Sequence, residues 1–335
     1  MTTFISMTTQ ELIDRPICCT ACLEDNKPEL NCKCVELNNI RHDIDAFTLT
    51  ERSQNDDMNK KREAIVEMII NNTLPCELYQ CPRWVNMRKS IHSYVYRVME
   101  HAGVTASMND VKCIGKAGRG HNHDFVLKIT DNDYRQHELK VELKFNATTI
   151  SDAPQFVSPM KPSQYMSSSY EEFYYDCFLP RVVSIGQFPL PPKELYMKQI
   201  HGNKPACMRD IQEKYYAGCR SSSKYTGRDE DIQFYTIANN ISKESISSFI
   251  ANNELNITKL GEYLKLTQEG KYYMMYRDDE FHMETVDMDE YDLVHVEPEP
   301  SKYRFMVTTK TGRVLKVLLR WKNGNGIAYP AFQIS

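Results

Sequence analysis

Several things are missing from this chain. No apolar run approaches the roughly 20 residues that a membrane-spanning helix needs, so no span is expected. The first residues, MTTFISMTTQELIDRP, offer no basic start ahead of an apolar stretch, and no secretory signal is expected either. Positive charge is not in excess: 41 Lys and Arg stand against 45 Asp and Glu, a formal net charge of −4. That argues against a protein that coats nucleic acid through bulk charge, yet leaves room for an enzyme with a local basic cleft. A disulfide framework is unexpected too, because the 11 cysteines are an odd number spread along the chain. A reducing compartment follows, cytoplasmic or, in a eukaryotic host, nuclear. Most thiols, Cys113 and Cys177 among them, are expected to be ordinary buried side chains.

What remains is ordinary for a globular protein, with 41% hydrophobic and 26% charged residues. The 335 residues suffice for one large domain or two of common size. Residues 1–59 read as an irregular segment with a cysteine cluster and a polar stretch. KKREAIVEMIINN then sets Ile65, Met68 and Ile69 at helical spacing. After Pro82, residues 83–103 carry Val85, Ile91, Val95, Val98 and Met99 on an apolar stripe, with Gly103 as a stop. Next come three strand patterns, DVKCIGKA, HDFVLKI and RQHELKVELKFN, the last two joined by TDNDY. Residues 150–190, rich in Ser, Pro and Tyr, read as loops. The segment 191–265 is mostly helical, with Ser242 a candidate helix start. KYRFMVTT and RVLKVLLRWKN predict a late hairpin, and GNGIAYPAFQIS a last strand.

The chemistry concentrates in the hairpin HDFVLKITDNDYRQHELKVELKFN. Leu139, Val141, Leu143 and Phe145 alternate with Glu138, Lys140, Glu142 and Lys144, giving one apolar and one charged face. An acid, any residue and a lysine is a cheap pattern; Asp25–Lys27, Asp110–Lys112, Glu138–Lys140 and Glu269–Lys271 also have it. An ordinary charged strand is therefore the competing reading. Hairpin geometry narrows the choice. A turn at 131–134 sets Asp124 opposite 141–142, with Lys144 further along the same face, whereas Glu138 would face about Leu127 with no acid opposite. Two carboxylates forced together are costly unless a cation joins them. Oxygen ligands with open positions suit Mg²⁺, with which Mn²⁺ is exchangeable. A metal that activates water, beside a lysine that balances charge on phosphorus, makes a phosphodiester hydrolase.

This constellation resembles the PD-(D/E)XK nuclease superfamily, the fold group of restriction endonucleases and many repair nucleases. The resemblance covers roughly residues 84–157, with His123 where the motif name has proline. It implies an α/β fold: a restriction-endonuclease-like α/β/α core with a central mixed β-sheet at 60–190. A helical and β-rich C-terminal part, 191–335, would complete the core and contact DNA. It implies catalytic Asp124, Glu142 and Lys144. The metal would lie on Asp124, Glu142 and the Leu143 carbonyl, with Glu100 the candidate for a further acid on the preceding helix. Candidate DNA contacts are Arg119, His121, Asn146, Gln155, Arg320 and Lys322, each of which also reads as ordinary surface polarity. The implied partners are double-stranded DNA and a second copy of the chain in a homodimer, with no membrane.

Cys19, Cys22, Cys32 and Cys34 form a compact four-thiol set that can hold one structural Zn²⁺. His121-Asn122-His123 spells HNH, but nucleases of that name spread those residues over a ββα unit. The expectation is a magnesium-dependent DNA endonuclease, foremost a sequence-specific type II restriction enzyme. A structure-specific repair or replication nuclease, and a non-catalytic zinc-stabilised DNA-binding protein, are the alternatives.

Overall fold

The computed structural model describes residues 37, 40–48, 55–116, 121–150, 160–202, 204–322 and 328–335. The first helical patterns become α1 (Asn55–Ile70) and α2 (Pro82–His101). In α2, Trp84, Met87, Ile91, Tyr94, Val95, Val98 and Met99 are buried, the three-and-four spacing of a one-sided helix. Pro82 sits in its first turn, where a missing N–H breaks no helical bond. Gly103, at φ +66°, ends it, and the Val104 N–H closes back on the Met99 carbonyl at 2.8 Å.

The strand patterns become β1 (Val111–Gly115), β2 (Phe125–Thr130) and β3 (Gln136–Phe145). Two later strands, β4 (Lys271–Arg277) and β5 (Glu280–Thr285), join them in one mixed sheet of order β1-β2-β3-β4-β5. β4 pairs with β3 in parallel, and the other neighbours are antiparallel. Alternate residues (Cys113, Phe125, Leu127, Ile129, Val141, Met274 and Phe281) form one core with Ile65, Val66 and Ile69 of α1 and the buried face of α2. Both helices thus cover one face of the sheet. A helical layer on the other face is not among the described elements of this unit. At the β2–β3 turn, Asp131 Oδ1 accepts the N–H groups of Asp133 (2.9 Å) and Arg135 (2.8 Å), while Tyr134 takes φ +64°. This pins Phe125 opposite Val141 and Leu127 opposite Leu139. Glu138 faces Lys128 rather than Leu127, and the two form an ion pair at 2.8 Å.

The second unit holds α3 (Tyr170–Cys177), α4 (Leu179–Gly186), α5 (Lys193–Gln199), α6 (Arg209–Gly218), α7 (Asp229–Asn252) and α8 (Ile257–Gln268). Its antiparallel sheet runs β6 (Leu293–Glu299), β7 (Arg304–Thr309), β8 (Val314–Trp321) and β9 (Pro330–Ile334) in that order. The late hairpin is β7–β8, as its alternation predicts.

Three readings are corrected here. Part of the loop-like stretch 150–190 is helical, because Ser169 caps α3 through the Glu172 N–H at 3.2 Å and Pro180 falls in the first turn of α4, where it is tolerated. Ser242 does not start a helix. It is buried inside α7, and its hydroxyl donates to the Ala238 carbonyl one turn back at 2.9 Å. Cys177 is exposed at the end of α3, whereas Cys113 is buried, as expected.

The described chain separates into a unit ending at Ile150 plus Gly270–Thr285, and a unit formed by the rest. The division thus falls near 150 rather than at 190, and 160–190 belongs with the second unit. No described helix is long and apolar enough to cross a membrane.

Candidate active site

The charged face of β3 is where the candidate residues gather. Val141, Leu143 and Phe145 turn toward the helical core, so alternation sends Glu142 and Lys144 to the opposite face. One step beyond the Phe125–Val141 pair lies Asp124 opposite Glu142. Ideal pairing ends at this step. The Asp124 N–H donates to the Val141 carbonyl at 3.0 Å, and its carboxylate Oδ2 accepts the Leu143 N–H at 2.8 Å. The side chain of Asp124 takes a ladder bond that a backbone carbonyl would otherwise take. It is thereby fixed against the Glu142-Leu143-Lys144 tripeptide.

Glu142 is only 2% exposed. Its Oε1 accepts from Lys144 Nζ at 2.8 Å. Its Oε2 is buried and receives no hydrogen bond, with Lys271 Nζ 3.8 Å away. Lys271 comes from β4, where it stands beside Lys140 in register and is itself buried. Burial raises the Glu142 carboxyl well above its ordinary range; Lys144 and Lys271 oppose this and Asp124 adds to it. Burial also raises Asp124, against the Leu143 hydrogen bond and the two lysines. Lys271 is pushed down by burial, while Glu142 and Asp124 hold it up.

A third carboxylate feels the charges of this group. Glu63 on α1 is raised from 4.5 to about 7, first by burial and then by the charges of Asp124 and Glu142. It lies one helical turn before Glu67, whose Oε1 accepts the Gly115 N–H at 3.2 Å at the end of β1. Glu100, the acid expected from the preceding helix, is exposed in the last turn of α2.

Glu63 and Lys271 are the two residues here that sequence reasoning missed. Glu63 had a signal of a kind, an acid on the polar flank of a predicted helix. Lys271 opens YYMMY, a continuous apolar run of the sort that marks a strand buried on both faces.

The other candidates are dispersed. His121 is exposed, its ring 5.6 Å from that of His123. His123 is lowered to about 4 by burial and then by His121, Lys140, Lys271 and Lys116, so its ring is neutral near pH 7. Asn146 ends β3 at φ +55°, a left-handed position that asparagine tolerates, and its N–H donates to the Tyr276 carbonyl at 3.0 Å. Arg320 is exposed on β8, and Lys322 Nζ lies 4.9 Å over the Tyr329 ring; both are in the second unit. Arg119, Gln155 and the proposed zinc ligands Cys19, Cys22, Cys32 and Cys34 lie outside the described residues.

Among the described residues no group of three or more His, Cys, Asp or Glu side chains is arranged to hold a metal ion. The donors are two carboxylates, to which the resemblance would add the Leu143 carbonyl. That set fits Mg²⁺, which keeps several waters and takes one or two protein carboxylates together with substrate phosphate. The buried, unbonded Oε2 of Glu142 is the atom that fits a cation. No family model, curated protein or solved structure matches the chain.

Proposed function

We propose that the chain is a magnesium-dependent nuclease of the PD-(D/E)XK type that hydrolyses phosphodiester bonds in DNA. One observation carries the reading. Asp124, Glu142 and Lys144 converge at the end of one hairpin, and the convergence leaves a buried carboxylate oxygen of Glu142 without a hydrogen bond. Lys144 and Lys271 balance its charge, but the open lone pairs of Oε2 among the described residues suit a further cation.

Asp124, Glu142 and the Leu143 carbonyl would hold Mg²⁺, which when bound polarises a phosphoryl oxygen and makes water more acidic. The Leu143 N–H orients Asp124. Lys144 sits at the rim of the pair and offers its ammonium to the negative charge that grows on the phosphate oxygens as water adds to phosphorus and the ester bond breaks. Lys271 offsets part of the cost of keeping Glu142 ionised in a buried place. The mixed five-stranded sheet with a helix, three strands and a later parallel strand supports a restriction-endonuclease-like core. Within this reading, the foremost role remains a sequence-specific type II endonuclease acting on double-stranded DNA as a homodimer.

Incubating the purified chain with plasmid, in Mg²⁺ and in EDTA, tests the proposal. Discrete fragments in Mg²⁺ alone support the restriction role. A smear supports a structure-directed or nonspecific nuclease. Intact plasmid under every divalent ion tried overturns the catalytic reading and leaves a DNA-binding protein.

A further inference from the structure

A second feature of the first unit lies on α2. A cleft of about 270 Å³ is lined by Tyr79, Val85, Arg88, Lys89 and His92. The last four recur at the three-and-four spacing that puts side chains on one helix face. Tyr79 comes from the short 3-10 turn Cys76–Gln80 ahead of the helix. The lining has three nitrogen-bearing side chains and no carboxylate. Nearby cations are neutralised: Arg83 pairs with Asp45 at 2.7 Å and Lys61 with Asp43 at 2.8 Å. Arg88 and Lys89 have no acidic partner within ion-pair distance among the described residues. In a chain of net charge −4, such a pair of uncompensated cations side by side calls for a reason.

The cleft is also preorganised. The Arg88 guanidinium is 4.7 Å from the centre of the Tyr79 ring, a stacking contact that steadies the fork without using its donors. The Tyr79 hydroxyl is buried and has no hydrogen-bond partner. His92 is held by an interaction with the Ile69 backbone, and the Arg88 charge reaches it. The cleft offers a planar guanidinium and an ammonium, both unengaged by acceptors among the described residues, around a space large enough for a phosphate group with part of its ester. Carboxylate and phosphate both match the Arg fork bidentately, but phosphate keeps further oxygens for Lys89.

We infer that the Tyr79–Arg88–Lys89–His92 cleft is a phosphate-binding site, separate in sequence from the Asp124–Glu142–Lys144 group. The phosphate has two sources with the same chemistry: a free or terminal phosphate monoester, or a phosphodiester of a duplex backbone. The inference does not depend on the nuclease reading, because a phosphate site needs no metal and no cleavage.

The full chain is titrated in EDTA, by calorimetry, with inorganic phosphate, with a 5′-mononucleotide and with a 20-base-pair duplex. The comparison set is wild type, R88Q/K89Q and Tyr79→Phe. These positions line a surface cleft, and equal melting temperatures confirm that the variants fold. If phosphate or the mononucleotide binds wild type and R88Q/K89Q weakens it at least tenfold, the site takes monoesters. If only duplex affinity falls, with the slope of log affinity against log salt reduced by about 2 for the two lost cations, the site takes backbone phosphate. Tyr79→Phe keeps the ring beside Arg88 and is expected to leave affinity near that of wild type, and, with the single variants R88Q and Arg88→Lys added, Arg88→Lys is expected to restore only part of the loss in R88Q, since the charge returns without the fork. Wild type and R88Q/K89Q that bind all three probes alike, or wild type that binds none, overturn the inference.

Discussion

Among the described residues each unit buries one glutamate, and the two are treated in opposite ways. Glu171, 1% exposed in the second unit, has both oxygens served: His201 Nε2 at 2.9 Å and Ser163 Oγ at 3.4 Å on Oε1, and Ser169 Oγ at 3.3 Å on Oε2. Glu142, 2% exposed in the first unit, has one oxygen bonded and one bare, two further carboxylates whose charges reach it or are reached by it, and a raised carboxyl. Folding can satisfy a buried acid when the acid belongs to the scaffold. Leaving one oxygen without a hydrogen bond costs stability, which Lys144 and Lys271 return only in part. On the reading proposed above, the contrast separates a structural carboxylate from one held for a metal ion.

The largest effect expected from breaking this contrast is on turnover. Asp124→Ala or Glu142→Ala should reduce plasmid cleavage to background, and Lys144→Ala should slow it at least ~100-fold, the scale of one lost electrostatic group. Duplex affinity of Lys144→Ala measured in Ca²⁺ should stay within a few-fold of wild type, because its charge acts in the transition state. Strong loss of affinity with an unchanged rate of cleavage would make Lys144 a phosphate anchor.

Next in size is a stability test that treats the two glutamates as a pair. Glu171→Gln breaks a buried network and should lower stability by about 3 kcal/mol, the low end for such pairs. Ca²⁺ should raise the melting temperature of wild type and of Glu171→Gln alike, and leave Glu142→Gln unmoved. An equal Ca²⁺ response in all three proteins would remove Glu142 from the metal site.

A smaller effect comes from Glu63. Its folded-state value of about 7 exceeds the ordinary 4.5, so the folded chain holds this proton more tightly than the unfolded one. The stability it contributes is complete below about pH 4.5 and is lost as pH rises to about 7. In EDTA the first unit should therefore melt lower at pH 8 than at pH 5. Glu63→Gln should flatten that slope and raise melting at pH 8 by about 2–4 °C, the response of a unit this size to about 1 kcal/mol. A slope unchanged in Glu63→Gln would exclude it from the carboxylate group.

The least effect belongs to Lys140→Ala. Lys140 is exposed on the same strand face as Lys144, four residues nearer the turn, and its loss should leave cleavage near normal. An essential Lys140 beside a dispensable Lys144 would shift the site by one pair along β3.

How much of this was legible in the sequence depended on distance along the chain. The alternation through Val141, Leu143 and Phe145 exposes Glu142 and Lys144 from local pattern alone, and the Asp131 turn sets a register that reaches Asp124 within twenty residues. Glu63 reaches the same place by helix packing from sixty residues upstream, which no local period encodes. Lys271 arrives by parallel pairing, and the Glu269–Lys271 string looked like one more chance match. α3 was hidden by composition: Tyr and Ser suggested loops, although Ser169 with Glu172 three residues on is a capping pattern. Glu100 was favoured because its helix directly precedes the hairpin.

The parallel pairing of β3 with β4 has a consequence for how the chain is made. β3 ends at Phe145 and its neighbour begins at Lys271. A ribosome adding about 5–20 residues per second needs roughly 6–25 s to bridge that gap. Throughout that interval β3 presents open backbone N–H and C=O groups to solvent, a template on which nascent chains could stick to one another. The alternating Glu138, Lys140, Glu142 and Lys144 then serve as charged guards during synthesis, before two of them are sealed away with Lys271.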